Sequence, residues 1–188
     1  MARHMDEQEA VRRLKKGDSG GLEYLVLAHQ VRAIRAAYLI TGDRGLAEEV
    51  VQEAFLRAYR SIGTFDTNRP FEPWFMRSVV NASLRLLKRA KREVALEAPG
   101  AEQAFHRMAA ELDSPHAQME AVETEREVRK ALEDLSPRQR AVIVQRYFLG
   151  MSEAEMASES GTSAGTIKWL LNAARQRLRG ALAERSDE

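Results

Sequence analysis

Residues 152–182 read SEAEMASESGTSAGTIKWLLNAARQRLRGAL, and this stretch decides the fold of the C-terminal part of the chain. Ser152 followed by Glu155 has the pattern of a capping box, which marks the start of a helix. Gly161 interrupts the helical pattern, and a second helix is expected from Ser163 onward. The apolar residues of that second helix form one amphipathic stripe: Ile167, Leu171, Ala174 and Leu178. The stretch therefore predicts a short helix, a turn and a long helix.

The same helical periodicity runs through most of the chain, and no alternating run predicts a strand. Gly42 is expected to end one helix, Asp43 to start the next, and Ser136 to start another with proline at its first position. We therefore predict an all-α fold. The predicted helices cover residues 6–16, 20–41, 44–61, 71–91, 118–134, 137–149, 152–159 and 163–182.

A change of composition divides the chain into two parts. Residues 93–117 contain Pro99-Gly100 and Ser114-Pro115 and few large apolar residues, which is typical of a flexible linker, with a short helix possible near 101–112. We expect two small helical domains, 5–92 and 118–185, on either side of it. Each is small for an independent core, which favours marginal stability or docking onto a partner.

The composition excludes several functional classes. The 188 residues include no cysteine, which rules out disulfides, Cys-ligated zinc and a Cys nucleophile. No apolar segment has the length of a membrane span and no secretory signal is present, so we expect a cytoplasmic protein. The histidines are scattered and Gly20-Gly21 lacks the context of a phosphate loop. We predict no metal, no cofactor and no enzymatic activity.

Charge is segregated along the chain. The total is +1, from 29 Lys and Arg against 28 Asp and Glu. Residues 85–92 hold five basic side chains and no acidic one, and residues 163–180 hold four and none. Residues 97–134 hold ten acids against four Lys and Arg, a local charge of −6. The balanced total therefore conceals two basic helices and an acidic middle.

The two C-terminal helices have the lengths expected for a helix-turn-helix, a motif that binds DNA. In that motif the second helix enters the major groove, and Arg175, Arg177 and Arg179 would lie where phosphates are met. The alternative is an ordinary helical hairpin with a solvated basic face.

A second surface follows from the helix near residues 74–91. Trp74, Arg77, Asn81 and Arg85 recur at spacings of 3, 4 and 4, and such a face can track a nucleic-acid backbone. The alternative is a tryptophan that fills the core beside a solvated basic face. We expect the core for the Trp74 ring and binding for the other three.

On the helix 44–61, Glu49, Gln52 and Glu53 share one face. Such a stripe usually only solvates a helix, and a protein interface is the alternative. No histidine, serine or metal-ligand spacing supports a catalytic carboxylate pair.

Taken in order, these residues resemble the sigma-70 family of bacterial transcription initiation factors, in particular its small extracytoplasmic-function (ECF) group. The similarity spans roughly residues 17–182. The motifs that carry it are LITGD (39–43), AEEVVQEAFLRAY (47–59), RPFEPWFMR (69–77) with Asn81, LSPRQR (135–140), RY (146–147), GMS (150–152) and GTIK (165–168).

The resemblance implies a factor that binds core RNA polymerase, directs it to specific promoters and helps to melt the minus-ten region. It implies that Glu49, Gln52 and Glu53 dock on the clamp helices of the beta-prime subunit, and that the C-terminal domain meets the beta flap. The linker would thread near the active site and RNA exit. An anti-sigma factor is a further expected partner.

The resemblance also implies two sets of DNA contacts. The minus-ten set, which captures a flipped base and the separated strand, comprises Phe65, Asp66, Arg69, Arg77, Asn81, Arg85 and Lys88. The minus-35 set, on the helix-turn-helix, comprises Ser163, Thr166, Lys168, Trp169, Asn172, Arg175 and Arg179.

Two departures from the family pattern affect these sets. Arg85 stands where many relatives have Asp. The recognition helix continues Trp169-Leu170-Leu171-Asn172-Ala173, where many relatives have Ser-Arg and a basic or aromatic pair. Asn172 suits adenine, whereas Trp169 can touch a thymine methyl, pack on a partner or be buried by a rotated helix. We predict an atypical minus-35 sequence.

Two other classes of function stay open at this point. One is a helix-turn-helix regulator whose N-terminal part binds a partner. The other is an all-helical adaptor that does not bind DNA, and it predicts no salt-dependent DNA binding by either domain.

Overall fold

The structure, a computed structural model, describes residues 5–97 and 128–186, with side chains over residues 5–90 and 128–183. The described residues contain helices and no strand, which confirms the predicted all-α class. A helical stretch at 128–133 opens the second part. The other helices are α1 (Glu7–Lys15), α2 (Ser19–Thr41), α3 (Arg44–Ser61), a 3-10 turn (Ile62–Thr64), α4 (Phe71–Glu97), α5 (Pro137–Ile143) with a π-helical extension (Val144–Phe148), α6 (Glu153–Ser160) and α7 (Ala164–Ser186).

The helix ends lie where the capping residues predict them. Gly42 adopts φ 76° after α2 and donates its N–H to the Tyr38 carbonyl, and Asp43 caps α3 through the Leu46 N–H. Ser136 and Ser152 each form a capping box, at α5 and α6. The helix α4 continues to Glu97, beyond the predicted domain boundary at residue 92. The predicted helix near 101–112 lies outside the described residues.

The N-terminal domain packs α1 to α4 around aromatic rings. Phe75 is fully buried, with its ring centroid 4.2 Å from that of Phe55 and 5.5 Å from that of Phe71. The helix α1 crosses α2 at Gly21, where a Cβ atom would lie only 2.3 Å from the Ala10 carbonyl oxygen. Gly21 therefore permits a close approach of two helices, which gives the Gly20-Gly21 pair a packing role.

The C-terminal domain packs α5, α6 and α7 around a smaller, aliphatic core. Its buried residues include Val142, Met156, Ile167 and Leu171, and no aromatic side chain is buried in this cluster. Gly161 ends α6 in the left-handed region at φ 63°, and the chain turns there into α7. The helix α6, this turn and the helix α7 form the predicted helix-turn-helix.

The two domains are in contact with each other. Ala141 and Val144 are buried against Ala36, Ile40 and Val80 of the N-terminal domain rather than in the aliphatic core of their own domain. We call this set the interdomain seam. Two hydrogen bonds also join the domains. Arg32 donates to the Phe148 carbonyl at 3.2 Å, and Arg77 donates to the Glu159 carbonyl at 3.1 Å. None of the described helices is long and apolar enough to cross a membrane.

Candidate nucleic-acid interfaces and a docking groove

An open groove runs between α2 and α3. We call it the α2–α3 groove. Glu49 and Gln52 are exposed at its α3 side, together with Leu56, whose side chain is 51% exposed. The α2 side carries three apolar side chains, Leu22, Val26 and Ile34, and the amide of Gln30. The groove therefore has an apolar floor beside an acidic and polar edge.

The predicted stripe on α3 is divided by this groove. Glu49 and Gln52 line it, whereas Glu53 lies outside and forms an ion pair with Arg57 at 2.7 Å. Both side chains of that pair are about half exposed. The partner of Glu53 is thus a residue of the same helix. Exposed ion pairs of this kind add little stability.

The basic stripe of α4 lies on the surface, as predicted. Arg77, Arg85 and Lys88 are exposed and Asn81 is half-buried. The Trp74 ring is half-buried, with its centroid 4.8 Å from that of Phe65 and 5.6 Å from that of Phe71. The predicted core role of the Trp74 ring is therefore confirmed.

One residue of the predicted minus-ten set is buried in the structure. The Phe65 side chain was expected to line the loop before α4, but it is 5% exposed and packs edge-on against Phe71. The aromatic cluster removes this apolar ring from water. Asp66 and Arg69 remain exposed, their charged groups 3.6 Å apart, and the Asp66 carboxylate accepts from the Asn68 N–H.

The second helix of the helix-turn-helix presents its predicted residues to solvent. Ser163 caps α7 by accepting from the Thr166 N–H at 3.1 Å. Lys168 and Asn172 are exposed, and Trp169 is 66% exposed. Because Trp169 is so exposed, burial by a rotated helix is excluded.

Two arginines of α7 form side-chain hydrogen bonds within the domain. Arg175 donates from Nε to the Tyr147 hydroxyl at 2.8 Å, and its guanidinium lies 5.9 Å from the centre of the Tyr147 ring. Arg177 donates to the side-chain oxygen of Gln139 at 3.3 Å. The role of Tyr147 in holding Arg175 was not predicted, because residues 28 positions apart carry no periodic signal.

The cleft between the domains contains two carboxylates of α6 with opposite properties. Hydrogen bonds from the Ser152 side chain and backbone lower the pKa of Glu155. Burial raises the pKa of Glu159, an effect that the nearby Arg77 opposes. One Glu159 carboxylate oxygen has no hydrogen-bond partner among the described residues.

Arg140 is a buried cation beside the interdomain seam. Its side chain is only 8% exposed, and burial lowers its pKa, with Glu133 acting in the opposite direction. Its guanidinium lies 3.3 Å from where a Gly42 Cβ atom would stand, at the C-terminal end of α2. That end carries the negative pole of the helix dipole, which suits a cation. Among the residues described, no group of acidic and histidine side chains is arranged to hold a metal ion.

Together, these features define a class: a two-domain, all-helical protein that carries a helix-turn-helix, a second basic helix and a separate docking groove. Two family models match the chain, sigma-70 region 2 over residues 25–93 and sigma-70 region 4 over residues 125–178. The chain belongs to the sigma-70 family of RNA polymerase sigma factors, in its ECF group, whose members are transcription initiation factors.

Two of the similar proteins match this chain over nearly their whole length, and a third is longer than this chain. The chain is 26% identical to the ECF RNA polymerase sigma factor SigW of Bacillus subtilis, covering 94% of this chain and 97% of that protein. It is 29% identical to the ECF RNA polymerase sigma-E factor of Escherichia coli, covering 94% of each. It is 31% identical to the ECF sigma factor SigE of Mycolicibacterium smegmatis, covering 87% of this chain and 62% of that protein.

Solved structures support the fold. The chain is similar to CnrH in complex with the cytosolic domain of CnrY, with a TM-score of 0.61 and 23% identity, covering 95% of this chain and 97% of that one. It is also similar to RpoE of Bartonella quintana in complex with the anti-sigma factor NepR, with a TM-score of 0.66 and 23% identity, covering 86% and 96%.

Proposed function

We propose that this chain binds core RNA polymerase through the α2–α3 groove, holds the melted minus-ten strand on α4 and reads the minus-35 element with α7. The observation that carries the proposal is the groove itself, which is separate from both basic helices. An apolar floor supplies buried area, and the polar edge sets specificity and the rate of encounter. A helical coiled coil such as the beta-prime clamp helices fits such a groove.

Within the proposed polymerase interface, the residues contribute unequally. Glu49 and Gln52 line the groove and are exposed, so they are free to meet a basic partner. Glu53 lies outside the groove, so its contribution is smaller. Leu56 adds apolar contact beside them.

Charge reversal in the groove tests the polymerase interface. We expect Glu49→Lys to weaken binding to core polymerase by roughly 10- to 100-fold, because the substitution places like charges opposite each other across the interface. Glu53→Lys should have a smaller effect. The measurement is the equilibrium affinity for purified core polymerase.

A matched control is Glu9→Lys, which reverses an exposed acid on α1 that is paired within its own helix. If Glu49→Lys binds as tightly as Glu9→Lys, the groove is not the docking site.

The proposed minus-ten interface is the exposed stripe of α4 with the loop that precedes it. Arg77, Arg85 and Lys88 offer cations for the strand backbone, Asn81 offers an amide, and Arg69 lies in the loop. Unstacking a base costs a few kcal/mol, which phosphate and pocket contacts must offset. Asp66 holds the loop in shape beside Arg69, while Phe65 and Trp74 support it from the core.

Strand binding by α4 is tested with a single-stranded minus-ten oligonucleotide in the presence of core polymerase. We expect Arg85→Glu to reduce affinity about 10-fold and to lower the salt dependence, since a phosphate contact is lost. The exposed Arg60→Glu on α3 is the control. Equal behaviour of the two variants would remove α4 from the proposal.

The proposed minus-35 interface is the exposed face of α7 with its cap. Ser163 and Thr166 form the cap, Lys168 and Asn172 follow on the surface, and Arg175 and Arg179 lie where phosphates pass.

We also propose an anti-sigma factor as a partner, a cytoplasmic location, and the absence of catalysis by the chain itself, since the polymerase makes RNA. Support for the partner is that one of the similar structures named above is a complex of a sigma factor with an anti-sigma factor. Isolation of the chain from its native host under non-inducing conditions, with polymerase as its sole companion, would contradict that partner. A helix-turn-helix regulator acting alone is the second candidate, and it predicts promoter binding that is unchanged by Glu49→Lys.

A further inference from the structure

The outward face of α7 is unusual because its centre is not basic. Ile167, Leu171 and Ala174 are buried, which fixes the rotation of the helix about its axis. With 3.6 residues per turn, the opposite face carries Trp169, Asn172 and Gln176, at spacings of 3 and 4. All three are exposed. We call them the reading face.

The cations of α7 lie beside this face rather than on it. Lys168, Arg175 and Arg179 follow one another along one flank, at spacings of 7 and 4. Arg175 is held there by the Tyr147 hydroxyl. The flank therefore suits phosphates, and the centre is left to an indole and two amides.

Small residues leave the indole uncovered. Gly165 lies one turn before Trp169 and Ala173 one turn after it. Neither has a side chain long enough to shield the ring, and Trp169 is accordingly 66% exposed. The indole therefore projects from the helix toward any surface that this face meets.

The chemistry of the reading face matches A·T pairs. Asn and Gln side chains bind adenine with two hydrogen bonds, apolar side chains contact the thymine methyl, and guanine is read mostly by Arg or Lys. Resting on the proposed function, we propose that Trp169, Asn172 and Gln176 read an A·T-rich minus-35 element without a required guanine. Gln176 is a specificity-determining residue absent from the contacts predicted by sequence.

The spacing of the two amides limits which bases they reach. Four residues of helix span about 6 Å, and neighbouring base pairs are about 3.4 Å apart. Asn172 and Gln176 therefore reach adenines within about two base pairs of each other. Trp169, one turn before Asn172, meets a thymine methyl beside them.

The test is a library of promoter duplexes randomised only at the minus-35 element. Full-length chain with core polymerase is used to select bound duplexes, and the same library is transcribed. The wild type should select adenines at two positions and no guanine. Gln176→Arg should convert one adenine position to guanine, with a change in preference of roughly 5- to 100-fold.

Two further variants complete the design. Trp169→Ala should lose the thymine preference, and Trp169→Phe should retain part of it. Arg179→Ala on the flank is the control, and it should weaken binding equally for all sequences and reduce the salt dependence. A variant with an altered fold would lose base preference at all positions of the minus-35 element. A change of preference at one position alone arises only from contact with that base.

Each outcome decides between the proposals. Transcription from elements that contain a required guanine, or an element unchanged by Gln176→Arg, overturns the inference and leaves the proposed function standing. Base selection without transcription upholds the inference and contradicts the proposed function. If neither base selection nor transcription is observed, the inference and the proposed function are both contradicted. Weaker polymerase binding by Trp169→Ala with unchanged base preference would assign Trp169 to a protein contact and remove it from the reading face.

Discussion

The two domains are stabilised by cores of different kinds. The N-terminal core stacks Phe55, Phe71 and Phe75, and α1 to α4 surround it. The C-terminal core is aliphatic, and Ala141 of α5 and Val144 of its extension face the other domain instead. The interdomain seam buries residues of both domains, so each domain gains cover from the other. Small domains bury a lower fraction of their surface, so this cover matters more to them.

The helix α5 and its extension show the difference within a few residues. Val142 is buried in the core of the C-terminal domain, and Val144 is buried in the interdomain seam. Both are under 5% exposed. The two valines are therefore equally buried for different reasons, one by its own domain and the other by the neighbouring domain. Substitution of each valine distinguishes the two reasons.

The largest expected effect comes from a charge placed in the C-terminal core. Val142→Glu should unfold that domain, because an unpaired buried carboxylate costs more than about 4 kcal/mol. Val144→Glu should leave both domains folded and separate them, because water can then reach the new charge. Far-UV circular dichroism should show helix loss for the first variant and not for the second.

Domain separation is measured by X-ray scattering and by energy transfer. A compact chain of this length has a radius of gyration of roughly 16 Å, and Val144→Glu should exceed it. The chain has no cysteine, so dyes attach only at Arg60→Cys and Ser158→Cys, both exposed sites. The exposed Ala183→Glu is the control. An unchanged distance in Val144→Glu would mean that the seam does not hold the domains together.

The next effect concerns the aromatic core. Phe75→Ala should destabilise the N-terminal domain by about 3–5 kcal/mol, because it removes a fully buried ring that stacks on two others. Chemical denaturation of the full chain measures the change. A loss under about 1 kcal/mol would show that the ring stack is not what sets this domain apart from its neighbour.

A smaller effect is expected at the helix-turn-helix. Ser152→Ala removes a capping box and should cost about 1 kcal/mol. Since the C-terminal core is small, the midpoint of its thermal transition should fall while that of the N-terminal domain stays constant. Equal shifts of both transitions would mean that the domains unfold as one unit.

The smallest effect is a pH dependence of the interdomain contact. Burial raises the pKa of Glu159, so the closed arrangement binds a proton more readily than the open one. The contact should be strongest below the ordinary Glu pKa of 4.5 and should weaken as the pH rises above it. Arg77, Arg32, Glu72 and Glu155 are the charged groups around it.

Energy transfer between the two dyes, followed against pH, measures this dependence. Glu159→Gln should remove it and should strengthen the contact at neutral pH. The pKa of Glu155 is lowered, so its pH dependence has the opposite sign. The stability that the Glu155 carboxylate gives to α6 is lost as the pH falls. A Glu159→Gln variant with the wild-type pH profile would exclude Glu159 as the source.

Most of the fold was predictable because its signals are local. Gly42, Ser136 and Ser152 act through hydrogen bonds to residues a few positions away, so the helix ends follow from neighbouring residues. The family motifs are also continuous stretches, and the two family models fall on them. The surface residues of α3, α4 and α7 follow from helical periodicity once the buried stripe is known.

The sequence by itself therefore determined the helices, the two-domain division and the family. Only the tertiary structure decided that Phe65 is buried, that Glu53 is paired while Glu49 lines a groove, and that Tyr147 holds Arg175. It alone assigned Val142 and Val144 to different interfaces. The physical reason is range: caps and periodicity act within one or two turns, whereas burial depends on which distant side chains fill the space around a residue.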